Sequence, residues 1–235
     1  MARCVILSAC PVPAELKTLL RPDDFIIACD AGYRNCVPLG RKPNIVVGDF
    51  DTAPCPEPQD EDVIVLPHVK DDTDTEYAAK LASEKGFAEV LLLGALGGRR
   101  LEHTLANLAT GLGLEQRGVR TAIQNERSRI TFVLPGEARR YPKEQFFYLS
   151  VFPMEGVAEG VCEQGSFYEL ADATPRAPTA SPSPPARVRW WWWRPCRTPD
   201  LEPLGRKTPI MEQDPFSKKG GVHPCRWSWS RARKR

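Results

Sequence analysis

The sequence predicts an α/β fold, in which an N-terminal domain with a parallel sheet is followed by an incomplete antiparallel β-sandwich and a disordered basic tail. Three observations support this prediction. Short apolar runs alternate with helical patterns in the first half of the chain, short β-rich segments follow, and the composition changes near Thr174. The predicted domains are residues 1–122, 123–174 and 175–235.

Five short apolar runs predict the strands of the parallel sheet. Each run is nearly continuous rather than alternating, which is typical of strands buried on both faces. The runs are RCVILSAC (3–10), DFIIACD (24–30), NIVVGDF (44–50), DVIVLP (62–67) and EVLLLGA (89–95).

Two helices are predicted between or after these strands. The segment 73–86 opens with Thr73 and Glu76 at the spacing of a capping box and ends at Gly86, a C-cap residue. The segment 101–118 repeats leucine along one helical stripe. Strands that alternate with helices indicate a sheet built through crossover connections. The stripe consists of Leu101, Leu105, Leu108 and Leu112.

The β-rich segments VRTAIQNE, RITFVLPG, QFFYLSVFP and SFYEL predict antiparallel strands of a second domain. Only three or four strands precede Thr174, whereas a closed sandwich needs about seven. The second domain is therefore expected to be incomplete.

The tail differs from the rest of the chain in charge and composition. Residues 1–174 carry 18 Lys/Arg and 26 Asp/Glu, whereas residues 175–235 carry 14 and 4, all six Trp and eleven of the 23 Pro. This segment has neither helical nor strand periodicity, so we expect it to be disordered. We hypothesise that it is an out-of-frame translation rather than an evolved tail. In that case, a reading frame shifted by one or two bases after codon 174 should restore alternating strand patterns.

The sequence contains no apolar run of transmembrane length and no convincing signal peptide, which predicts a soluble, cytoplasmic protein without a membrane partner. The eight cysteines form no C-x-x-C pair. They are expected to be reduced thiols rather than zinc ligands or disulfides.

Six carboxylates follow the predicted strands. Because ligands bind at the carboxyl ends of parallel strands, we expect these side chains at one edge of the sheet. So many like charges need a cation, and oxygen ligands suit Mg²⁺ together with substrate phosphates. Simpler interpretations are a helix cap at 73–74, a solvated turn at 48–51, and a strand-to-helix turn at 30–32. The six are Asp30, Asp49, Asp51, Asp71, Asp72 and Asp74.

A glycine-rich turn follows the strand at 89–95. Gly97 and Gly98 would let backbone N–H groups approach a phosphate, and the helix that begins near Leu101 adds a favourable dipole. Arg99 or Arg100 supplies a guanidinium suited to phosphate oxygens, and Lys70 is either a second phosphate contact or a solvated loop residue.

With these motifs together, residues 1–122 resemble the thiamine pyrophosphokinase (thiamine diphosphokinase) family. The motifs are GDFDT (48–52), DDTD (71–74) and GGRRLEHTLAN (97–107). The resemblance implies that Mg²⁺ assists the transfer of a pyrophosphoryl group from ATP to the hydroxyl of thiamine, which releases AMP. It also implies an ATP-binding α/β domain, a thiamine-binding β-sandwich, and a homodimer without a specific nucleic-acid partner.

The resemblance assigns roles to individual residues. The implied metal ligands are Asp49, Asp51, Asp71 and Asp74. The implied catalytic residues are Asp71, Asp74, Arg99 and His103, and either aspartate could accept the thiamine hydroxyl proton. The implied ATP-site residues are Asp30, Gly32, Thr73, Gly97, Gly98, Arg99 and Asn107.

The chain departs from the family pattern at several positions. Glu102 stands where the family has Asp, Arg100 is an additional arginine, and Thr52 replaces Ser. No Ser-x-Asn segment for thiamine follows Thr174. These departures leave open an ATP-binding pseudoenzyme. The sequence also leaves open a haloacid dehalogenase type phosphohydrolase, which Ala53 disfavours, and nucleic-acid binding through the basic aromatic tail.

Overall fold

The computed structural model describes residues 2–51, 53–55, 62–141, 148–166 and 169–175, and the backbone of 189–194. The chain divides into one unit from Met1 to Cys196 and a second from Arg197 to Arg235. All described residues belong to the first unit.

Six parallel strands form the larger part of the main sheet, in the order β4-β3-β2-β1-β5-β6. All five apolar runs are confirmed as strands. β1 and β3 are buried at every position, as continuous apolar runs predict. The strands are β1 (Cys4–Leu7), β2 (Phe25–Cys29), β3 (Ile45–Gly48), β4 (Asp62–Val65), β5 (Glu89–Leu93) and β6 (Arg120–Gln124).

Helices cover both faces of this sheet. On one face, α2 (Asp74–Glu84) and α3 (Leu101–Gln116) pack against a core that includes Ile6 and Ile27. The other face is covered by two 3-10 helices (Ala14–Leu19 and Asp30–Asn35) and the short helix α1 (Cys36–Leu39).

The helix signals in the sequence are partly confirmed. Thr73 is the N-cap of α2, and its hydroxyl accepts a hydrogen bond from the Glu76 backbone N–H at 3.1 Å. The leucine stripe of α3 packs on the core only in its second half, because Leu101 and Leu105 are exposed.

The prediction that VRTAIQNE belongs to the antiparallel domain is wrong. This segment forms β6, which pairs in parallel with β5 because α3 makes a crossover between them. The predicted boundary after residue 122 therefore falls inside β6. The antiparallel strand β7 (Arg129–Val133) extends the same sheet.

The remaining strands are antiparallel. β8 (Tyr148–Val151) belongs to the main sheet, and β9 (Val161–Glu163) pairs with β10 (Leu170–Ala173) in a separate two-stranded sheet. A cavity of about 400 Å³ is lined by residues of β8, β9 and β10.

Within the tail, the backbone of Arg189–Arg194 forms β11 between β7 and β8. The prediction of disorder therefore does not hold for these six residues. Four of them are tryptophan, a residue type favoured in strands. Residues 176–188 and 195–235 lie outside the described residues, so the expectation for them stays a prediction. No described helix has the length and apolar character needed to cross a membrane.

The cysteines of the described residues form no disulfide among themselves. Burial raises the pKa of Cys4 to about 12, so this thiol is a small apolar core residue rather than a nucleophile.

Candidate active site

The strand order of the sheet defines where a ligand would bind. The chain builds outward from β1 to β4 on one side and then returns to β5 on the other side of β1. A crevice lies at such a reversal, outside the carboxyl ends of the strands. The residues that follow β1, β2, β3 and β5 at this edge are Ser8, Asp30, Asp49 and Gly94.

Two of the predicted carboxylates meet at this edge through a lysine. Lys70 Nζ lies 2.9 Å from Asp49 Oδ2 and 3.0 Å from Asp74 Oδ1. The three side chains are only 17%, 12% and 19% exposed, respectively. We call this arrangement the acidic pair, meaning Asp49 and Asp74 with Lys70 between them.

The charges of the acidic pair influence one another. The hydrogen bond from Lys70 lowers the pKa of Asp49. Burial raises the pKa of Asp74, and this effect outweighs the attraction of Lys70. For Lys70, burial disfavours the charged form, but the two carboxylates outweigh it and raise the pKa. Lys70 is therefore a cation when it contacts both.

The backbone around the acidic pair is strained. Asp30 has a φ of 45° and Phe50 a φ of 55°, in the left-handed region that residues with a side chain rarely adopt. Phe50 packs against the apolar core, which holds the turn that carries Asp49. Strain of this kind concentrates at functional sites.

Asp74 is positioned by the start of α2, which contacts the ends of two strands. The Cys29 thiol donates to the Asp74 carbonyl oxygen at 3.6 Å. The hydroxyls of Ser8 and Thr75 share a buried hydrogen bond of 2.9 Å. These contacts fix Asp74 at the first residue of α2, where the helix dipole opposes the effect of burial on its charge.

The glycine-rich turn after β5 is held by α3. The Thr104 hydroxyl accepts from the Gly97 N–H at 3.1 Å and donates to the Gly97 carbonyl at 3.2 Å. Asn107 is buried and donates to the Ala95 carbonyl at 2.8 Å. Asn107 therefore supports the turn through its side chain. Gly97 has a φ of 93°, a conformation that favours glycine.

Arg99 and His103 are exposed at the edge of this turn. Arg100 forms an ion pair with Glu102 at 2.7 Å, so the additional arginine neutralises the carboxylate that departs from the family pattern. Within the described part of the chain, Arg99 forms no ion pair. Its guanidinium is accessible to an anionic ligand.

A cavity of about 320 Å³ opens between the ends of β1 and β5. Gly94, Gly97 and Gly98 line one side, and Arg127 of the turn between β6 and β7 contributes to another. Asn35 holds the segment that lines this cavity at Cys10 and Val12. It donates to the Ser8 and Cys10 carbonyls at 2.9 Å each and accepts from the Val12 N–H at 3.0 Å.

The donor set of the acidic pair fits a magnesium ion. The Oδ1 atom of Asp30 is buried and accepts no hydrogen bond from a described residue, whereas Asp74 Oδ1 is paired with Lys70. Mg²⁺ needs only one or two carboxylates when phosphates and waters complete its shell. In the described residues, no group of three or more His, Cys, Asp or Glu side chains lies close enough to hold an ion.

The structure gathers the predicted metal ligands only in part. Asp49 and Asp74 share Lys70, whereas Asp51 and Asp71 are exposed. The Asp51 N–H contacts Asp49 Oδ1 at 3.4 Å, so Asp51 lies beside the pair. Asp72 instead pairs with Lys80.

Sequence reasoning missed several supporting residues, because their roles depend on distant partners. Asn35 and Thr104 bind backbone atoms of other segments, and no local motif marks them. His68 Nδ1 lies 3.5 Å from Asp49 Oδ2, although its side chain is 72% exposed. Gly32, by contrast, was predicted as an ATP-site residue. It packs against the backbone of β1, and a Cβ on this residue would lie 2.1 Å from the Leu7 carbonyl oxygen.

The sequence and structure are similar to known proteins. Residues 16–123 match the family described as thiamin pyrophosphokinase, catalytic domain. The fold resembles thiamin pyrophosphokinase from Geobacillus thermodenitrificans, with 23% identity, a TM-score of 0.67, and coverage of 86% of this chain and 100% of that chain. It also resembles thiamine pyrophosphokinase from Bacillus subtilis, with 20% identity, a TM-score of 0.64, and coverage of 82% and 94%.

A protein from Lactobacillus plantarum is similar at 25% identity, with a TM-score of 0.63 and coverage of 84% of this chain and 100% of that chain. No curated protein sequence matches the chain. The solved structures confirm the predicted α/β fold with its smaller antiparallel sheet.

Proposed function

We propose that the chain is a thiamine diphosphokinase of the thiamin pyrophosphokinase family, because residues 16–123 match the catalytic domain of that family. The reaction transfers the terminal pyrophosphoryl group of ATP to the hydroxyl of thiamine, and the products are thiamine diphosphate and AMP. The observation that carries the proposal is the acidic pair at the carboxyl edge of the sheet, beside a glycine-rich turn.

Asp49 and Asp74 would hold the Mg²⁺ ion, with Asp51 at the rim of the site. When bound, the ion would supply positive charge to phosphate oxygens, on which phosphoryl transfer depends. Asp71 is an exposed carboxylate three residues before Asp74. It is the acceptor we propose for the hydroxyl proton of thiamine, because its oxygens are not committed to Lys70.

Because the Gly97 N–H donates to Thr104, other backbone N–H groups of the glycine-rich turn would bind the polyphosphate, and Arg99 would stabilise negative charge on the transferred group. The nucleoside would occupy the 320 Å³ cavity, which the same turn lines. From β5 to β3 there are three strand spacings, or about 14 Å. The triphosphate would extend from this cavity along the edge of the sheet toward the acidic pair.

Thr73 and Asn107 support this site indirectly, because the first caps α2 and the second holds the glycine-rich turn. Asp30 would add negative charge beside the metal. His103 is exposed on the first turn of α3 and would contact phosphate only at the periphery. The proposal includes a homodimer in the cytoplasm. Sedimentation of the purified chain tests the proposed oligomeric state.

Product analysis tests the function. The full chain is incubated with ATP, Mg²⁺ and thiamine, and AMP and thiamine diphosphate are separated and quantified. We expect equal amounts of both products. Asp49→Asn and Asp74→Asn should each reduce the rate at least about 100-fold, as expected for loss of an electrostatic stabiliser.

Asp72→Asn is the matched control, because Asp72 lies in the same loop but pairs with Lys80 at 2.7 Å. Its rate should equal that of the wild type. No product from a folded wild-type chain would refute the proposed activity. If that chain still bound Mg·ATP, it would be an ATP-binding pseudoenzyme.

A further inference from the structure

Lys70 bridges two carboxylates that come from separate parts of the fold. Asp49 follows β3, Asp74 begins α2, and Lys70 lies on the segment between β4 and α2. Its Nζ is almost equidistant from the two, at 2.9 and 3.0 Å. Without a cation between them, two largely buried carboxylates would repel each other. Among the described cations, Lys70 alone contacts both members of the pair.

This ammonium group lies beside the position that a metal would need. An ion bound to both Asp49 and Asp74 lies about 2.0–2.1 Å from an oxygen of each. Since both oxygens lie within 3.0 Å of one nitrogen, an ion that binds both would lie next to Nζ, where the two positive charges would repel each other.

We propose that Lys70 is an internal counter-ion, which holds the acidic pair together in the metal-free protein and is displaced when the divalent cation binds. The inference rests on the proposed function, because the metal belongs to the proposed transfer reaction. Lysine suits this role, since its compact charge sits on a flexible four-carbon chain that can swing away without backbone movement. The displaced ammonium then lies beside the metal, where it can contact the polyphosphate.

A second lysine of the same region provides a matched comparison. Lys80 Nζ lies 2.7 Å from both oxygens of Asp72. Its side chain is 41% exposed, and it contacts one carboxylate rather than two. Lys80 therefore forms a surface ion pair that should not compete with a metal at the acidic pair.

Calorimetric titration of the full chain with Mg²⁺, in the absence of nucleotide, tests the proposal. Lys70→Met should bind Mg²⁺ about tenfold or more tightly than the wild type, because the metal no longer displaces a charge-assisted hydrogen bond. Lys70→Arg should bind no more tightly than the wild type, and Lys80→Met should match it. Mg²⁺ should also raise the melting temperature of Lys70→Met more than that of the wild type.

A second measurement needs no variant. In wild-type protein with ¹⁵N-labelled lysine, the ammonium protons of Lys70 should be protected from solvent without metal. They should lose this protection as Mg²⁺ is added.

The outcomes separate this inference from the proposed function. If Asp49→Asn and Asp74→Asn abolish Mg²⁺ binding while Lys70→Met binds no more tightly than the wild type, Lys70 does not compete and the inference is refuted alone. Persistent protection of the Lys70 ammonium at saturating Mg²⁺ would refute it as well. If both Asn variants bind Mg²⁺ normally, the metal site itself is wrong.

Discussion

Gly32 is expected to be essential for stability because of its contact with β1. A Cβ on this residue would lie 2.1 Å from the Leu7 carbonyl oxygen, 2.9 Å from the Leu7 carbonyl carbon and 3.0 Å from the Ser8 carbonyl oxygen. All three atoms are backbone. β1 pairs with β2 on one side and with β5 on the other, so it cannot move away.

The cost of Gly32→Ala follows from this overlap. Ordinary carbon–oxygen contacts are about 3.3–3.6 Å, so the 3-10 helix that carries Gly32 must shift by roughly 1 Å. Overpacking of this kind costs about 1–3 kcal/mol. A chain of this size loses about 2–4 °C in Tm per kcal/mol, so we expect a decrease of roughly 2–12 °C. The shift also moves Asp30 and Asn35, so product formation should fall.

Thermal and urea unfolding measure the change, and Gly113→Ala is the control. Gly113 lies within α3, and its nearest neighbour, an Arg117 nitrogen, would be 3.7 Å from the new Cβ. Alanine is the better helix former, so this variant should be more stable than the wild type by roughly 0.5–1 kcal/mol. The reasoning is refuted if Gly32→Ala is as stable as the wild type, or if both substitutions change stability in the same direction.

Three further predictions concern buried polar groups. Asp24→Asn should lower the free energy of unfolding in urea by about 3–5 kcal/mol, since it removes the buried charge that pairs with Arg3 at 2.7 Å and leaves only the longer 3.8 Å contact to Glu89. A change below about 1 kcal/mol would contradict this. Asn107→Ala should lower the free energy of unfolding by about 1–3 kcal/mol and slow product formation, because a buried carbonyl of the glycine-rich turn loses its hydrogen-bond donor. Unchanged stability and rate would contradict this prediction. Burial raises the pKa of Glu115, so the protonated side chain favours the folded state. Its contribution to the free energy of unfolding is fully present below about pH 4.3 and is lost as the pH rises through the pKa of the folded state. The unfolding free energy of the wild type relative to Glu115→Gln should therefore increase as the pH falls from about 7 toward 4.3, and a decrease would refute the assignment.

The parallel strands could be predicted because strands that are buried on both faces have short, continuous apolar sequences. Each run from β1 to β5 is flanked by turn or helix signals, so local sequence was sufficient. The N-cap at Thr73 was predictable for the same reason, since a capping box spans only four residues. The location of the candidate site at the carboxyl edge was predicted from the parallel arrangement of the strands and not from any single residue.

The parts that sequence reasoning did not predict depend on contacts between distant segments. β6 has the short, β-rich composition of an antiparallel strand, and only its pairing with β5 reveals its direction. The exposure of Leu101 and Leu105 depends on how far α3 extends beyond the sheet, which helical periodicity does not report.

The candidate site was predictable in its residue types and edge, but not in its internal pairing. Asp71 and Asp74 carry the same charge in one loop, yet only Asp74 reaches Lys70, because α2 begins there and fixes it. The sequence alone suggests Lys70 only as a phosphate contact or a solvated residue. Its position between Asp49 and Asp74 depends on β3 and α2 meeting in space.

A crystal structure of the full chain with Mn²⁺ and a non-hydrolysable ATP analogue tests the central claim most directly. We expect an anomalous peak within about 2.0–2.2 Å of carboxylate oxygens of Asp49 and Asp74, with the polyphosphate as a further ligand and Lys70 moved aside. A metal held by other residues, with Lys70 still between the two carboxylates, would contradict the account.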